Sequence, residues 1–198
     1  VSTEGGPNLA PFSFFNAVGS NPMLLLFCPA NKPDGSEKDS LRNARAREDG
    51  GTGQFVVNIV SETLGRRMAG TAEPLEYAES EFDLAGLTPA ESRRVLAPRV
   101  AEAPVSFECE TTEVIRTNPG APGGGNIVLG RVVHVWAADG LVNDRMHVDA
   151  EGLDAIGRMG VPLGYALVAS WFTGGTQRRR AHTEGRSRYV RHPTRGRK

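Results

Sequence analysis

"VSFECETTEVIR" (Val105–Arg116), joined by "TNPGAPGGG" (117–125) to "NIVLGRVVHVWAADG" (126–140), decides the fold. In the first segment Val105, Phe107 and Cys109 alternate with Ser106, Glu108 and Glu110, the two-residue period of a strand with one face on a core. The second segment is another long strand that ends in a turn, and the Pro- and Gly-rich stretch between them supplies a flexible reversal. Together they predict an antiparallel hairpin. His134 falls within its second strand, in register with Val132 and Trp136, which favours a structural histidine over a proton donor.

Working outward, "MLLLFCP" (Met23–Pro29) is a continuous apolar run, as expected of a strand buried on both faces. "QFVVNIV" (Gln54–Val60) is a further strand, followed by a short helix over Ser61–Met68. Ser36 or Asp39 can cap a short helix through Ala46 that places Leu41 and Ala44 on one side. Residues 69–98 are mixed and acidic and read as loop with short helical turns, "LTPAESRRVL" among them; "DAEGLDAIGRMG" reads as a short helix. The 24 Gly and 13 Pro imply many turns. A mainly β fold follows, an antiparallel barrel of six or so strands with a few short helices.

The 198 residues suffice for one domain with its own core. The formal net charge of zero hides a division: residues 1–170 hold 14 Lys/Arg against 22 Asp/Glu, and residues 171–198 hold nine Lys/Arg against the single Glu184. Cys28 and Cys109 sit in apolar surroundings without metal-ligand spacing and read as buried reduced thiols. The four histidines are too scattered for a zinc site. No apolar run approaches the ~18 residues of a membrane span, and no signal peptide or glycosylation sequon is visible, so the expected location is cytoplasmic.

Two glycine-containing stretches are excluded as sites. "DGGTGQF" follows a helix and precedes a strand, the reverse of a dinucleotide-binding turn. "VGSNP" lacks the second glycine and the strand–turn–helix context of a nucleophile elbow. In "GSEKDSLRN", Lys38 and Ser40 stand where a helix begins, so a phosphate there meets an ammonium and a hydroxyl; a capped, solvated helix start accounts for the same residues. In "NLAPFSFFNAV" (Asn8–Val18), Pro11 interrupts an apolar edge strand and leaves backbone N–H groups without ladder partners. These donors suit the polar edge of a flat heteroaromatic ring, with Phe12, Phe14 and Phe15 packed around it; an irregular edge strand is the plainer account.

At these residues the sequence resembles the flavin reductase-like family of FMN-binding split barrels. The resemblance runs through "VSTEGGPNLAPFSFFNAVGSNPMLLLF", with Met23 where a second Pro is usual, and "EKDSLRNARA", with Ser40 for the usual Thr. It continues in order through "GQFVVNIV", "EFDLAGLTP", "PRVAEAPVSFECE", "GRVVHVWAADG" and "IGRMG", covering residues 1–160 as one FMN-binding split-barrel domain. Residues 161–198 depart from the family's usual ending and form a divergent basic tail, expected to be poorly ordered and similar to out-of-frame translation of GC-rich DNA.

The resemblance implies an antiparallel split β-barrel, a homodimer, and one FMN per subunit reduced by NADH or NADPH. Electrons would pass on to a flavin or another acceptor, with a flavin-accepting enzyme as a possible partner. Ser2 and Thr3 would contact the phosphate or ribityl chain. Asn8, Ala10, Pro11 and Ser13, with the backbone of Phe14, Phe15 and Asn16, would meet the isoalloxazine. Lys38 and Ser40 would hold phosphate beside Asp39. No general acid or base is identified. The alternatives are a flavin-binding electron carrier without NAD(P)H turnover, a pyridoxamine-phosphate oxidase-type barrel, and a nucleic-acid-binding tail, the last disfavoured because few aromatics accompany its cations.

Overall fold

The computed structural model describes residues 1–4, 6–77, 79–160 and 165–167. Its elements in chain order are β1 (Phe15–Ser20), β2 (Met23–Phe27), α1 (Asp39–Ala44), β3 (Gln54–Asn58), α2 (Glu62–Gly70), α3 (Glu81–Ala85), β4 (Pro89–Ala90), β5 (Arg99–Val100), β6 (Val105–Arg116), β7 (Asn126–Ala137), α4 (Ala150–Leu153), β8 (Ile156–Arg158) and β9 (Tyr165–Leu167). The fold is mainly β. Five strands form one antiparallel sheet in the order β1-β2-β7-β6-β3, and β4–β5 and β8–β9 form two short ribbons.

The predicted hairpin is the centre of that sheet: β6 and β7 pair from Val105↔Ala137 to Arg116↔Asn126. Its alternation is broken where the sequence looked regular. Cys109 pairs with Val132 but Glu108 pairs with His134, so Val133 is an extra residue in a bulge. The bulge puts His134 and Trp136 on the opposite face from Val132, correcting the register expected for His134. The polar face of β6 is also not solvated. Ser106 and Glu108 are fully buried: the loop before β5 folds over Glu108, and Ser106 is paired with Asn58 of β3. Glu108 accepts the backbone N–H groups of Arg93 (2.9 Å) and Arg94 (2.6 Å), and Ser106 Oγ donates to Asn58 Oδ1 at 2.8 Å. These hydrogen bonds offset part of the cost of burying such acceptors.

β2 buries Leu25 and Phe27 on one face and leaves Leu24 and Leu26 on the other half-buried, so the run expected to be buried on both faces is fully buried on one. Only β1 lies beyond it in the sheet. Leu25, Phe27, Phe55, Cys109 and Val128 pack with Leu41 and Ala44 of α1 as the main core. Phe27 and Phe55 meet edge-on at 5.0 Å, and Phe12 tilts onto Phe27 at 4.9 Å. A second core joins Leu64 of α2, Phe82 of α3, Leu87, Val100 and Ala103.

The helix expected to reach Ala46 stops at Ala44, since Arg45 turns extended (φ −60°, ψ 163°). The glycine loop that follows is a packed turn: a Cβ on Gly51 would lie 2.1 Å from the Arg45 carbonyl oxygen. "LTPAESRRVL" forms no helix; its Pro89–Ala90 pairs with Arg99–Val100. In "DAEGLDAIGRMG" helix is confined to α4, where Asp154 (φ 47°) ends it and Ile156–Arg158 pairs with Tyr165–Leu167. Apart from Tyr165–Leu167, the structure describes no residue after Gly160, so the reading of a poorly ordered tail lies outside the described residues.

Cys28 is half-buried rather than buried, while Cys109 is fully buried and unpaired. Burial, reinforced by the charge of Glu108, pushes the Cys109 thiol up to about 12. With so little thiolate at pH 8, Cys109 is expected to resist iodoacetamide in the folded protein and to react once denatured. Mass-spectrometric mapping checks this, and rapid native-state labelling of Cys109 would contradict the packing.

Candidate functional site

A cleft of about 520 Å³ opens beside the main core. Its walls come from the segment before β1, from α1, β3 and α2, and from β8. The volume lies within the roughly 300–1,000 Å³ usual for small-molecule and cofactor sites. Phe27, Phe55, Val57 and Leu64 make one wall apolar, while Asn8, Ser13, Ser40, Asn43 and Arg158 supply polar groups.

The segment from Asn8 to Phe14 is irregular because Pro11 cannot join a ladder; strand geometry begins only at Phe15. Among the described residues, the backbone N–H groups of Ala10, Phe12 and Ser13 have no hydrogen-bond partner. Three donors therefore stand free along the cleft wall, as the sequence suggested for this stretch.

The side chains behind them are tied together. Asn8 Nδ2 donates to both carboxylate oxygens of Glu81 (3.0 and 3.2 Å), and Leu9 N–H donates to Glu81 Oε2 at 2.8 Å. Ser40 Oγ donates to Asn8 Oδ1 at 3.2 Å, which links α1 to the same segment. Arg158 of β8 reaches Ser13 Oγ at 3.5 Å. Asp39 pairs with Lys32 (3.3 Å) and Arg42 (3.4 Å), and the Arg42 guanidinium lies 4.2 Å over the Tyr77 ring. Lys38 is exposed, and no ion pair engages it among the described residues.

Of the sequence-derived candidates, Asn8, Ala10, Pro11, Ser13, Phe15 and Ser40 line the cleft together. Ser2, Thr3, Phe14, Asn16, Lys38 and Asp39 lie outside its lining. Ser2 closes a local turn, accepting the Gly6 N–H at 3.0 Å, and Phe14 is 75% exposed. Glu81, Asn43 and Arg158 were missed. Asn43 is buried at 4%; its Oδ1 accepts the Tyr77 hydroxyl at 2.8 Å, and its Nδ2 has no partner among the described residues. No spacing announces Glu81 and Arg158, whose one signal in the sequence is their place inside "EFDLAGLTP" and "IGRMG"; Asn43 had a signal in its spacing, three residues after Ser40 in "EKDSLRNARA".

The residues fit a flat, acceptor-edged ring with a charged tail: free N–H groups on an apolar wall, an orphaned buried amide beside it, and an unpaired ammonium at Lys38. No group of three or more His, Cys, Asp or Glu suited to a metal occurs among the described residues. Nor is any described helix long and apolar enough to cross a membrane.

Known proteins share this chain's sequence pattern and fold. The model of the flavin reductase like domain matches residues 1–166. Nitrilotriacetate monooxygenase component B from Bacillus cereus superposes with a TM-score of 0.79 at 36% identity, covering 87% of this chain and 82% of that one. The 2-nitrobenzoate 2-nitroreductase NbaA of Pseudomonas fluorescens follows with a TM-score of 0.76 and 26% identity, covering 92% and 84%. A protein with a split barrel domain from Shewanella frigidimarina shares the fold at 22% identity and a TM-score of 0.70, covering 87% and 80%.

Proposed function

The chain belongs to the flavin reductase-like family, and from that premise we propose that it is an oxidoreductase that holds FMN in the cleft and takes electrons from NADH or NADPH. The observation that carries the reading is the row of unpaired N–H groups at Ala10, Phe12 and Ser13 on an apolar wall. When bound, the flavin supplies the redox chemistry, accepting a hydride and passing electrons to an acceptor.

The protein's own part is binding and orientation. The free N–H groups donate to the carbonyl and ring-nitrogen edge and favour negative charge there. Phe27, Phe55 and Val57 keep water from one side of the cleft. Arg158, at its Ser13 side, offers a cation to an anionic ligand. Lys38 meets the phosphate, with Ser40 and Asn43 on the inner side of α1. Ser2, Thr3, Phe14, Asn16 and Asp39 belong to this site only if the cofactor extends beyond the cleft lining.

The monooxygenase component among the similar structures supports delivery of electrons to a separate enzyme. A second copy of the chain is proposed to cover Phe14, Val18 and Met23, which are exposed at the β1 end of the sheet.

The test is a titration of the purified chain with FMN, FAD and riboflavin, followed by anaerobic NADH or NADPH. A saturable shift of the visible flavin band that bleaches with reductant is the expected result. A band that never bleaches would leave a flavin carrier, and no shift would refute the reading. Lys38→Ala is expected to weaken FMN about tenfold, the loss of one charge-assisted contact, and to leave riboflavin unchanged. Equal losses for both ligands would remove Lys38 from the phosphate.

A further inference from the structure

Glu81 is a carboxylate only 7% exposed, at the first turn of α3, yet no cation pairs with it among the described residues. Its partners are two neutral donors of one short segment, the Leu9 N–H and the Asn8 amide. α3 holds it firmly: Ser80 Oγ caps the helix by accepting the Phe82 N–H, and Phe82 is buried in the second core. Leu9 packs against that core as well.

Both Glu81 oxygens accept N–H hydrogens from this segment, and this has consequences along the chain of contacts. The Asn8 NH2 must face Glu81, so its Oδ1 must face Ser40. That oxygen takes the Ser40 hydroxyl hydrogen at 3.2 Å. Ser40 then turns oxygen lone pairs, rather than a donor, toward the cleft it lines.

We propose that Glu81 is a positioning residue that fixes the Asn8–Leu9 segment and the donor–acceptor direction of the Asn8–Ser40 pair. Ser40 is thereby set to accept a hydroxyl of the ligand's polyol chain, and the neighbouring Ala10 N–H is held at the cleft wall. The inference rests on the flavin reading above and adds to it. The phosphate falls to Lys38 and the polyol to Ser40, under the control of a residue that does not line the cleft.

Glu81→Gln tests it. The glutamine oxygen can still accept the Leu9 N–H, but its NH2 group replaces the second carboxylate oxygen and meets the Asn8 NH2 donor to donor, so the segment loses part of its anchor and Asn8 is free to turn. FMN and riboflavin, which share the polyol and the ring, are expected to weaken together by about tenfold or more. The bound flavin band should shift, while the ligand-free protein keeps a cooperative melt within a few degrees of wild type. This pattern differs from that of Lys38→Ala, which touches FMN alone. Unchanged affinity for both ligands, or a loss confined to FMN, overturns the proposal.

If Glu81→Gln does not fold, Glu81→Asp decides. It keeps the charge and both acceptors but falls one methylene short, so both ligands should weaken by an intermediate factor. Wild-type affinity in Glu81→Asp then overturns the proposal. Failure of the wild-type chain to bind either flavin overturns the flavin reading itself, and that result comes before any variant is compared.

Discussion

Leu41→Ala is expected to lower the unfolding free energy by about 3–5 kcal/mol and to weaken the cleft with it. Leu41 has no exposed surface and packs with Leu25, Phe27, Phe55 and Val128 in the main core. The loss combines the transfer energy of the side chain with a cavity that the flanking strands cannot close. α1 has six residues, far too few to be stable as an isolated helix, so docking through Leu41 and Ala44 is what holds it. Ser40 and Asn43 ride on the same helix. Urea denaturation gives the free energy, and a thermal melt should fall by about 2–4 °C for each kcal/mol in a chain of this size. A loss below about 1 kcal/mol, outside the range for a buried leucine, would show that α1 is held by something else.

Gly130→Val is expected to be damaging for the opposite reason. A Cβ at this position in β7 would lie 2.4 Å from Phe55 Cζ, 2.5 Å from Cε1 and 3.3 Å from Cys109 Cβ. The ring cannot simply swing aside, since it packs edge-on against Phe27 and is 8% exposed. The open direction is the cleft that Phe55 lines. Overpacking of this kind costs about 1–3 kcal/mol, and the two further methyl groups of valine place this variant at the upper end or beyond. Ligand affinity should fall further than in Lys38→Ala, because the displaced ring occupies the site. Adding Phe55→Leu should recover part of both losses, a coupling that a double-mutant cycle in urea measures. Strictly additive effects would place the clash elsewhere.

The hairpin of β6 and β7 was legible because a two-residue period sustained over a long segment is the mark of an extended chain with one face on a core. What the period could not carry was its own interruption: the extra residue at Val133 leaves no mark in composition, and it moves Val132 to the other face from His134. The alternation of β6 implied water over Ser106 and Glu108, but a loop from 15 residues upstream caps Glu108 with two N–H groups. Such a contact is set by tertiary packing. The same holds at the site. Pro11 announced the free donors locally, whereas Glu81 is joined to Asn8 across 73 residues, and a lone glutamate in an acidic stretch looks like any solvated one. β4 was missed because two-residue pairing has no period to detect.

The spacing of these contacts along the chain orders how the molecule comes together. β6 and β7 close across residues 117–125 alone, a short loop with a small entropic cost. The contacts that tie the cleft segment to its surroundings span far more chain: Ser40 reaches Asn8 across 32 residues, Glu81 holds Asn8 across 73, and Arg158 reaches Ser13 across 145. Contacts of such separation are rewarded only after the intervening chain has been ordered. The central hairpin is therefore a scaffold that can stand early, and the cleft is assembled on it late, when the two ends of a long circuit finally meet.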